Sequence, residues 1–156
     1  MKKITYIDEI EIKNKTVLLR VDFNVSLNQD YTISNDARIK QSLPTINYLL
    51  KNNNRLIIVS HLGRPKRVDK KFSLKVVTNK LREYLPKYGI VLAKDIEEVK
   101  VRKEKIVVLE NIRFYPKEKD YSTLFAKKLS SLADVYVNEA FAVCHRSDTS
   151  VIGPPK

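Results

Sequence analysis

Short apolar runs alternate with amphipathic stretches along the chain. The apolar runs are mostly β-branched or aliphatic and are too short for buried helices, which is typical of strands covered on both faces. They predict strands at 16–21, 55–60, 90–93, 105–109 and 135–137. Between them, apolar residues recur at helical spacing in stretches that begin near Asp36, Ser73 and Ser122. The chain is therefore predicted to alternate strand and helix.

The first helix illustrates the pattern. Ile39, Leu43, Ile46 and Leu50 recur on one face, and Ser34 or Asn35 is placed to cap the amino terminus. Pro44 lies inside the stretch and predicts a kink or a late start, because proline lacks the backbone N–H that a helix needs.

The alternation favours an α/β fold, a three-layer doubly wound parallel sheet with helices on both faces. The length of 156 residues suits one domain, so residues 1–156 are interpreted as a single unit. After Val151 the chain stops in IGPPK, and we expect no element there to close the fold. The domain is therefore expected to be incomplete at its carboxyl end.

Charge favours an anionic ligand. Thirty Lys plus Arg against eighteen Asp plus Glu give a formal charge of +12, which suits phosphorylated metabolites and nucleic acid alike. Lysines make up 21 of these cations and are scattered, so a solubilising surface also explains the bulk charge. The single Cys144 favours a reducing, cytoplasmic setting, and no apolar run is long enough for a membrane span.

Arginines follow successive strands of the predicted sheet. Ligands of open α/β sheets bind at the carboxyl ends of the strands, so residues placed there are candidates for a site. They are Asp22 and Asn24 after the first strand with Arg38 at the next helix, His61 and Arg64 after the second, Arg113 after the 105–109 strand, and His145 and Arg146 after the last. Guanidinium groups bind carboxylate and phosphate oxygens through paired donors. The set predicts a pocket for a small, multiply charged anion.

Each of these residues also has an explanation in the fold that involves no ligand. Arg113 has Glu110 nearby as a partner, and Arg146 has Asp148. Asp22 and Asn24 are also residue types that are common in turns. Both side chains offer hydrogen-bond acceptors and Asn24 also offers a donor, which suits a ligand that bears a hydroxyl.

A nucleotide site or a metal site is not expected in this chain. The three glycines, Gly63, Gly89 and Gly153, stand far apart and form no glycine-rich phosphate loop. Two histidines and one cysteine are too few for a metal site built from those residues.

Six segments resemble the phosphoglycerate kinase family, in order and in register. They are RVDFNV at 20–25, DARI at 36–39, LPTI at 43–46, SHLGRP at 60–65, LENIRF at 109–114 and LADVYVNEAFAVCHR at 132–146. RVDFN followed by SHLGRP is far more specific than any one short motif. The resemblance implies the amino-terminal, phosphoglycerate-binding part of that enzyme, truncated before the nucleotide-binding domain.

The resemblance also implies roles for individual residues. The family moves a phosphoryl group reversibly between 1,3-bisphosphoglycerate and ADP, giving 3-phosphoglycerate and ATP in glycolysis. By resemblance, Arg38 is the catalytic residue that steadies the transferring group. The residues expected to bind substrate are Asp22, Phe23, Asn24, Arg38, His61, Leu62, Gly63, Arg64, Arg113 and Arg146.

The resemblance also implies which partners this chain binds, because the nucleotide-binding domain is missing from it. Mg-ATP and Mg-ADP belong to the nucleotide domain that the full-length family carries in cis, so neither is expected to bind this chain. We expect a cytoplasmic monomer that binds 3-phosphoglycerate or 1,3-bisphosphoglycerate, that is inactive alone, and that binds neither a membrane nor specific nucleic acid. The alternatives are a basic nucleic-acid-binding domain or a folded, inert fragment.

One departure from the family pattern bears on the site. Where the family often has NDAFGTAHRAHAS, this chain has NEAFAVCHRSDTS, which changes Glu139, Val143, Cys144 and Asp148. Arg146 is retained, but the added carboxylate of Asp148 is expected to weaken anion binding nearby.

Overall fold

The computed structural model describes residues 5–155. The strands are β1 Thr16–Arg20, β2 Ser26–Leu27, β3 Ile33–Asn35, β4 Arg55–Val59, β5 Ile90–Ala93, β6 Ile106–Leu109 and β7 Val135–Asn138. The helices are α1 Ala37–Lys51, α2 Lys75–Tyr84, α3 Ile96–Val101, α4 Thr123–Ser130 and α5 Thr149–Ile152. Short 3₁₀ turns occupy Lys70–Phe72, Ile112–Phe114, Pro116–Glu118 and Phe141–Val143.

Five strands form one parallel sheet in the order β5-β6-β4-β1-β7. The earliest strand, β1, lies between β4 and β7, so Val17 is opposite both Leu56 and Val135. Strands β2 and β3 pair separately in an antiparallel hairpin.

Helices cover both faces of this sheet, because successive strand residues point to opposite sides. Leu19 and Ile58 pack with α1 and α2 in one core, whereas Leu18 and Ile57 pack with α3 and α4 in the other. All four side chains are at most 2% exposed. The three-layer, doubly wound α/β fold predicted from the sequence is confirmed.

Helix α1 begins at Ala37 and runs through Pro44, so the late start suggested by that proline is wrong. The backbone N–H of Ala37 donates to Asn35 Oδ1, 2.9 Å away, which satisfies one free donor of the first turn. Burial of Ile39 and Ile46 on the sheet stabilises the helix on either side of the proline.

Some elements were not predicted from the sequence. Helix α3 has only six residues, and α5 has four, too short for a helical period to be recognised. Helix α5 ends at Ile152, within the IGPPK segment, and its Thr149, Ser150 and Val151 are buried. No helix within residues 5–155 is long and apolar enough to cross a bilayer.

Candidate functional site

The candidate site lies at the carboxyl ends of neighbouring strands, as the sequence predicts. Arg20 is the last residue of β1, and His61 follows β4, which is paired with β1. Arg113 follows β6 on the far side of β4, and Arg146 follows β7 on the other side of β1. The parallel sheet thus brings side chains from distant parts of the chain to one edge.

His61 lies at the centre of these cations. It is only 3% exposed, and its Nδ1 lies 3.2 Å from Arg20 Nη2. Burial, followed by the positive charges of Arg20, Arg113, Arg146 and Arg38, lowers the pKa of His61 to about 2. Because a guanidinium only donates, Nδ1 is the acceptor and the proton of the neutral ring is on Nε2. His61 is therefore a neutral donor rather than a further cation.

Arg113 and Arg146 carry donors without acceptors. Arg113 is 8% exposed, its Nη1 donates to the Gly63 carbonyl at 2.6 Å, and its Nη2 lies 4.0 Å from Asp148 Oδ2. The Nε atoms of Arg113 and Arg146 are buried and have no hydrogen-bond partner among the residues described. Burial lowers the pKa of Arg113, and the charge of Asp148 opposes that effect. Buried donors of this kind are costly unless an acceptor reaches them.

Arg38 stands apart from these buried groups because its side chain is 46% exposed. It forms an ion pair with Asp22, whose side chain is 13% exposed. Both residues line a surface hollow of about 560 Å³ together with Gln41 and Glu139. The carboxylate of Asp22 also accepts from the backbone N–H of Asn24 at 3.1 Å, so the turn interpretation of Asp22 is correct.

The loops after β1 and β4 are tied together by hydrogen bonds. Phe23 N–H donates to Ser60 Oγ at 2.8 Å, and Gly63 N–H donates to Asn24 Oδ1 at 2.7 Å. Gly63 has a φ of 63°, in the left-handed region. Phe23 is fully buried, its N–H is taken by Ser60 and its carbonyl accepts from the Val25 N–H at 2.7 Å, so this residue holds the loop in place and offers no exposed group to a ligand.

The loop after β6 fixes the other side of the 61–64 segment. Asn111 is fully buried, and its Nδ2 donates to the carbonyls of Leu62 and Phe72, both at 2.8 Å. Leu62 is 1% exposed, so its side chain belongs to the core. Arg64, directly after Gly63, is exposed at the rim.

Glu110 is not the partner that the sequence suggested for Arg113. Its carboxylate accepts from Ser73 Oγ at 2.6 Å and from the backbone N–H of Leu74 at 2.8 Å. The carboxylate of Glu110 thereby binds the start of α2. The acidic neighbour of Arg113 is therefore Asp148.

Sequence reasoning did not assign two buried charged residues beside the site. Arg20 is fully buried, and its Nε donates to Ser150 Oγ at 3.0 Å. Glu118 is also fully buried and accepts from the Ser150 backbone N–H at 2.9 Å and hydroxyl at 2.5 Å. Burial raises the pKa of Glu118 to about 7. The sequence feature that could have identified Arg20 is a charged residue at the end of an otherwise apolar strand.

The donor set does not suit a divalent cation. Guanidinium groups cannot ligate a metal, and Mg²⁺ takes oxygen ligands. Across residues 5–155, no group of three or more His, Cys, Asp or Glu side chains is placed to hold a metal ion. The arrangement instead offers donors to the oxygens of an anion.

Comparison with known proteins gives a consistent result. The family model described as phosphoglycerate kinase matches residues 7–156. Phosphoglycerate kinase of Hydrogenobaculum sp. (strain Y04AAS1) is 43% identical over 156 residues, covering 96% of this chain and 40% of that protein. The Aquifex aeolicus (strain VF5) protein of the same name is 44% identical over 155 residues, covering 95% and 39%.

A solved structure agrees with the fold. The structure of phosphoglycerate kinase from Coxiella burnetii superposes with a TM-score of 0.86 at 36% identity, covering 94% of this chain and 38% of that one. The chain thus spans about 40% of the length of the relatives that it matches. Sequence motifs, sheet order and these matches agree, and the chain belongs to the phosphoglycerate kinase family.

Proposed function

We propose that this chain is the substrate-binding domain of a phosphoglycerate kinase and that it binds 3-phosphoglycerate at the cluster around His61. The observation that carries the proposal is the pair of buried, unpartnered Nε donors of Arg113 and Arg146 beside a neutral His61. In the longer proteins of the family, the proposed reaction is reversible phosphoryl transfer between 1,3-bisphosphoglycerate and ADP, giving 3-phosphoglycerate and ATP.

The proposed ligand combines a phosphate, a carboxylate and a hydroxyl, and the site offers groups for each. Guanidinium donors of Arg113 and Arg146 suit the anionic oxygens, and His61 adds a neutral donor. Oδ1 of Asn24 accepts from Gly63, so the amide nitrogen is the remaining polar group of Asn24 for a ligand. Arg64, at the rim, adds a positive charge that attracts the anion.

Arg38 is proposed to act on the transferring phosphoryl group. In-line phosphoryl transfer depends on positioning and on stabilising charge, and no covalent enzyme intermediate is needed. Arg38 is half-exposed at the open side of the site, so its guanidinium is able to turn towards a group arriving from outside. Its partner is Asp22, and its charge reaches His61, so Arg38 is also proposed to attract bound 3-phosphoglycerate.

The remaining partners are proposed to lie outside this chain. Magnesium-bound ATP or ADP would be held by a nucleotide domain in cis in the longer proteins, because the basic cluster supplies no ligands for the metal. We propose a monomer in the cytoplasm, and one relative, from Arabidopsis thaliana, is named phosphoglycerate kinase 3, cytosolic.

Calorimetric titration with 3-phosphoglycerate tests the site. Removing one charged donor costs about 1.5–3 kcal/mol, so Arg38→Ala and Arg113→Ala should each weaken binding at least about tenfold. Arg82→Ala is the matched control, because Arg82 donates to the carbonyl of Ile90 at the opposite, amino end of β5. Unchanged affinity in both site variants would reject the assignment.

The same preparation separates the competing functions. A nucleic-acid-binding domain would bind duplex DNA or RNA selectively at physiological salt, whereas a diffuse charge of +12 gives weak binding that salt abolishes. An inert fragment would bind neither nucleic acid nor 3-phosphoglycerate. Saturable binding of 3-phosphoglycerate that weakens in Arg38→Ala or in Arg113→Ala agrees with the proposal.

A further inference from the structure

A buried carboxylate lies inside the basic cluster. Asp148 is 6% exposed, and its Oδ2 has no hydrogen-bond partner among the described residues. Burial of a carboxylate without hydrogen bonds is unfavourable, so a positive charge nearby must compensate for the lost hydration.

Helix capping does not explain this side chain. Asp148 stands at the amino-terminal cap of α5, where an aspartate usually accepts from the first backbone N–H groups. Here it makes no side-chain cap bond, and the N–H groups of Val151 and Ile152 donate to its backbone carbonyl at 3.0 and 3.2 Å. The carboxylate is therefore not engaged with the helix that it precedes.

The charge of Asp148 acts on the arginines instead. Its Oδ2 lies 4.0 Å from Arg113 Nη2, which is close for two charges but too long for a hydrogen bond. Burial lowers the pKa of Arg113, and the negative charge of Asp148 is the largest effect that opposes it. Burial also lowers the pKa of Arg20, where the charge of Glu118 opposes it most and that of Asp148 opposes it less. One carboxylate therefore offsets part of the positive field of two buried arginines without occupying their donors.

We propose that Asp148 is an internal counter-anion that sets the anion affinity of this site. The inference rests on the proposed function only for the identity of the ligand, 3-phosphoglycerate. An anion that reaches the Nε donors of Arg113 and Arg146 enters the field of a carboxylate that repels it, so part of the attraction is lost. The same carboxylate keeps the guanidinium groups compensated when no anion is bound.

Asp148→Asn is the decisive variant, since it keeps the shape and removes the charge. We expect the 156-residue variant to bind both 3-phosphoglycerate and inorganic sulfate about tenfold more tightly than the parent chain, measured by calorimetric titration. Asp8→Asn is the matched control, because it removes the same charge from an exposed position near the amino terminus. Its affinities should equal those of the parent chain.

A double-variant cycle tests whether the effect runs through Arg113. In an Arg113→Gln background, Asp148→Asn should raise sulfate affinity much less than tenfold, because the paired cation has gone. An undiminished gain in that background, or unchanged or weaker sulfate binding in Asp148→Asn itself, would overturn the proposal.

The two proposals fail in different ways. Absence of 3-phosphoglycerate binding, with sulfate affinity still raised in Asp148→Asn, would reject the proposed function and keep the counter-anion. Where Asp148→Asn does not fold, Asp148→Ser replaces it, because serine caps a helix and carries no charge. Loss of the native near-ultraviolet circular dichroism in both variants would mean that Asp148 holds the fold together, which contradicts a role in affinity. Absence of any anion binding in every protein would reject both proposals.

Discussion

Gly63 meets two constraints that no other residue type meets at once. Its φ of 63° is strained for residues with a Cβ, and a Cβ built there would lie 2.4 Å from Cε1 of Phe72. The same residue donates to Asn24 and accepts from Arg113, so its backbone joins two loops of the site. A change at Gly63 is therefore expected to affect stability and the arrangement of both loops.

Gly63→Ala should destabilise the protein by about 2–4 kcal/mol, the sum of a left-handed backbone penalty and overpacking against Phe72. Urea denaturation measures the loss. Gly89→Ala is the matched control, since its Cβ would meet only the Glu104 side chain at 4.0 Å, an ordinary contact. Equal stability of the two variants would contradict both the backbone penalty and the overpacking against Phe72.

The sequence identifies individual site residues by their position after a strand. It does not identify residues whose role depends on contacts with distant parts of the chain. Arg38, His61, Arg113 and Arg146 were named on that rule. Arg20 was not, because the rule excludes strand residues, and its contact with His61 depends on the register of β1 against β4. Nothing local to Asp148 reveals that its carboxylate faces Arg113 rather than α5.

At the scale of elements, Glu118 joins the Pro116–Glu118 turn to α5. Its carboxylate accepts both the N–H and the hydroxyl of Ser150, whose oxygen also accepts from Arg20. Burial raises the pKa of Glu118 from 4.5 to about 7. Between these values the folded protein keeps a proton that the unfolded chain releases, so this contribution to stability falls as pH rises.

The contribution of His61 to stability changes with pH in the opposite direction. Its folded pKa of about 2 lies below the ordinary 6.5, so the unfolded chain binds the extra proton between them. The contribution of His61 to stability therefore rises with pH up to about 6.5 and is lost as pH falls. Between pH 4.5 and 6.5 the contributions of Glu118 and His61 to stability change in opposite directions, so a variant is needed to separate them.

Glu118→Gln isolates the contribution of Glu118. The free energy of unfolding of the parent chain minus that of the variant should fall by about 3 kcal/mol between pH 4.5 and 7, as measured by urea denaturation at each pH. Glu97→Gln is the control, because Glu97 is exposed and paired only at the surface with Lys100. Parallel stability curves for the parent chain and Glu118→Gln would contradict the prediction.

Among the elements, those with a clear period were predictable. The five sheet strands and helices α1, α2 and α4 appear close to their expected bounds, because runs of Val, Ile and Leu specify buried strands directly. Helix α3 begins at the cap that Asp95 provides to Glu98 N–H, and α5 depends on contacts with Glu118. The Asp95 cap is a local signal, but six residues are too few to show a helical period. The contacts that stabilise α5 are tertiary, and no local pattern encodes them.

At the scale of the whole molecule, we expect this chain alone not to make ATP from 1,3-bisphosphoglycerate and ADP. Transfer needs donor and acceptor oxygens in line at roughly 3–3.5 Å, and only one of the two reactants has a proposed site here. A coupled assay with magnesium and both substrates measures this. Turnover that co-purifies with the chain and disappears in Arg38→Ala would reveal a nucleotide site in these residues.

The sheet order has a consequence for how the chain is made. Strand β1 is synthesised early, yet its neighbour β7 begins at Val135, and Arg20 bonds to Ser150, 130 residues later in the sequence. At about 5–20 residues per second, a ribosome needs on the order of ten seconds to add the intervening residues. During that interval β1 is exposed along one edge, and the cations around His61 are not yet assembled. A ligand of this site therefore stabilises only chains that have been extended through α5, and it cannot rescue a nascent chain that misfolds before then.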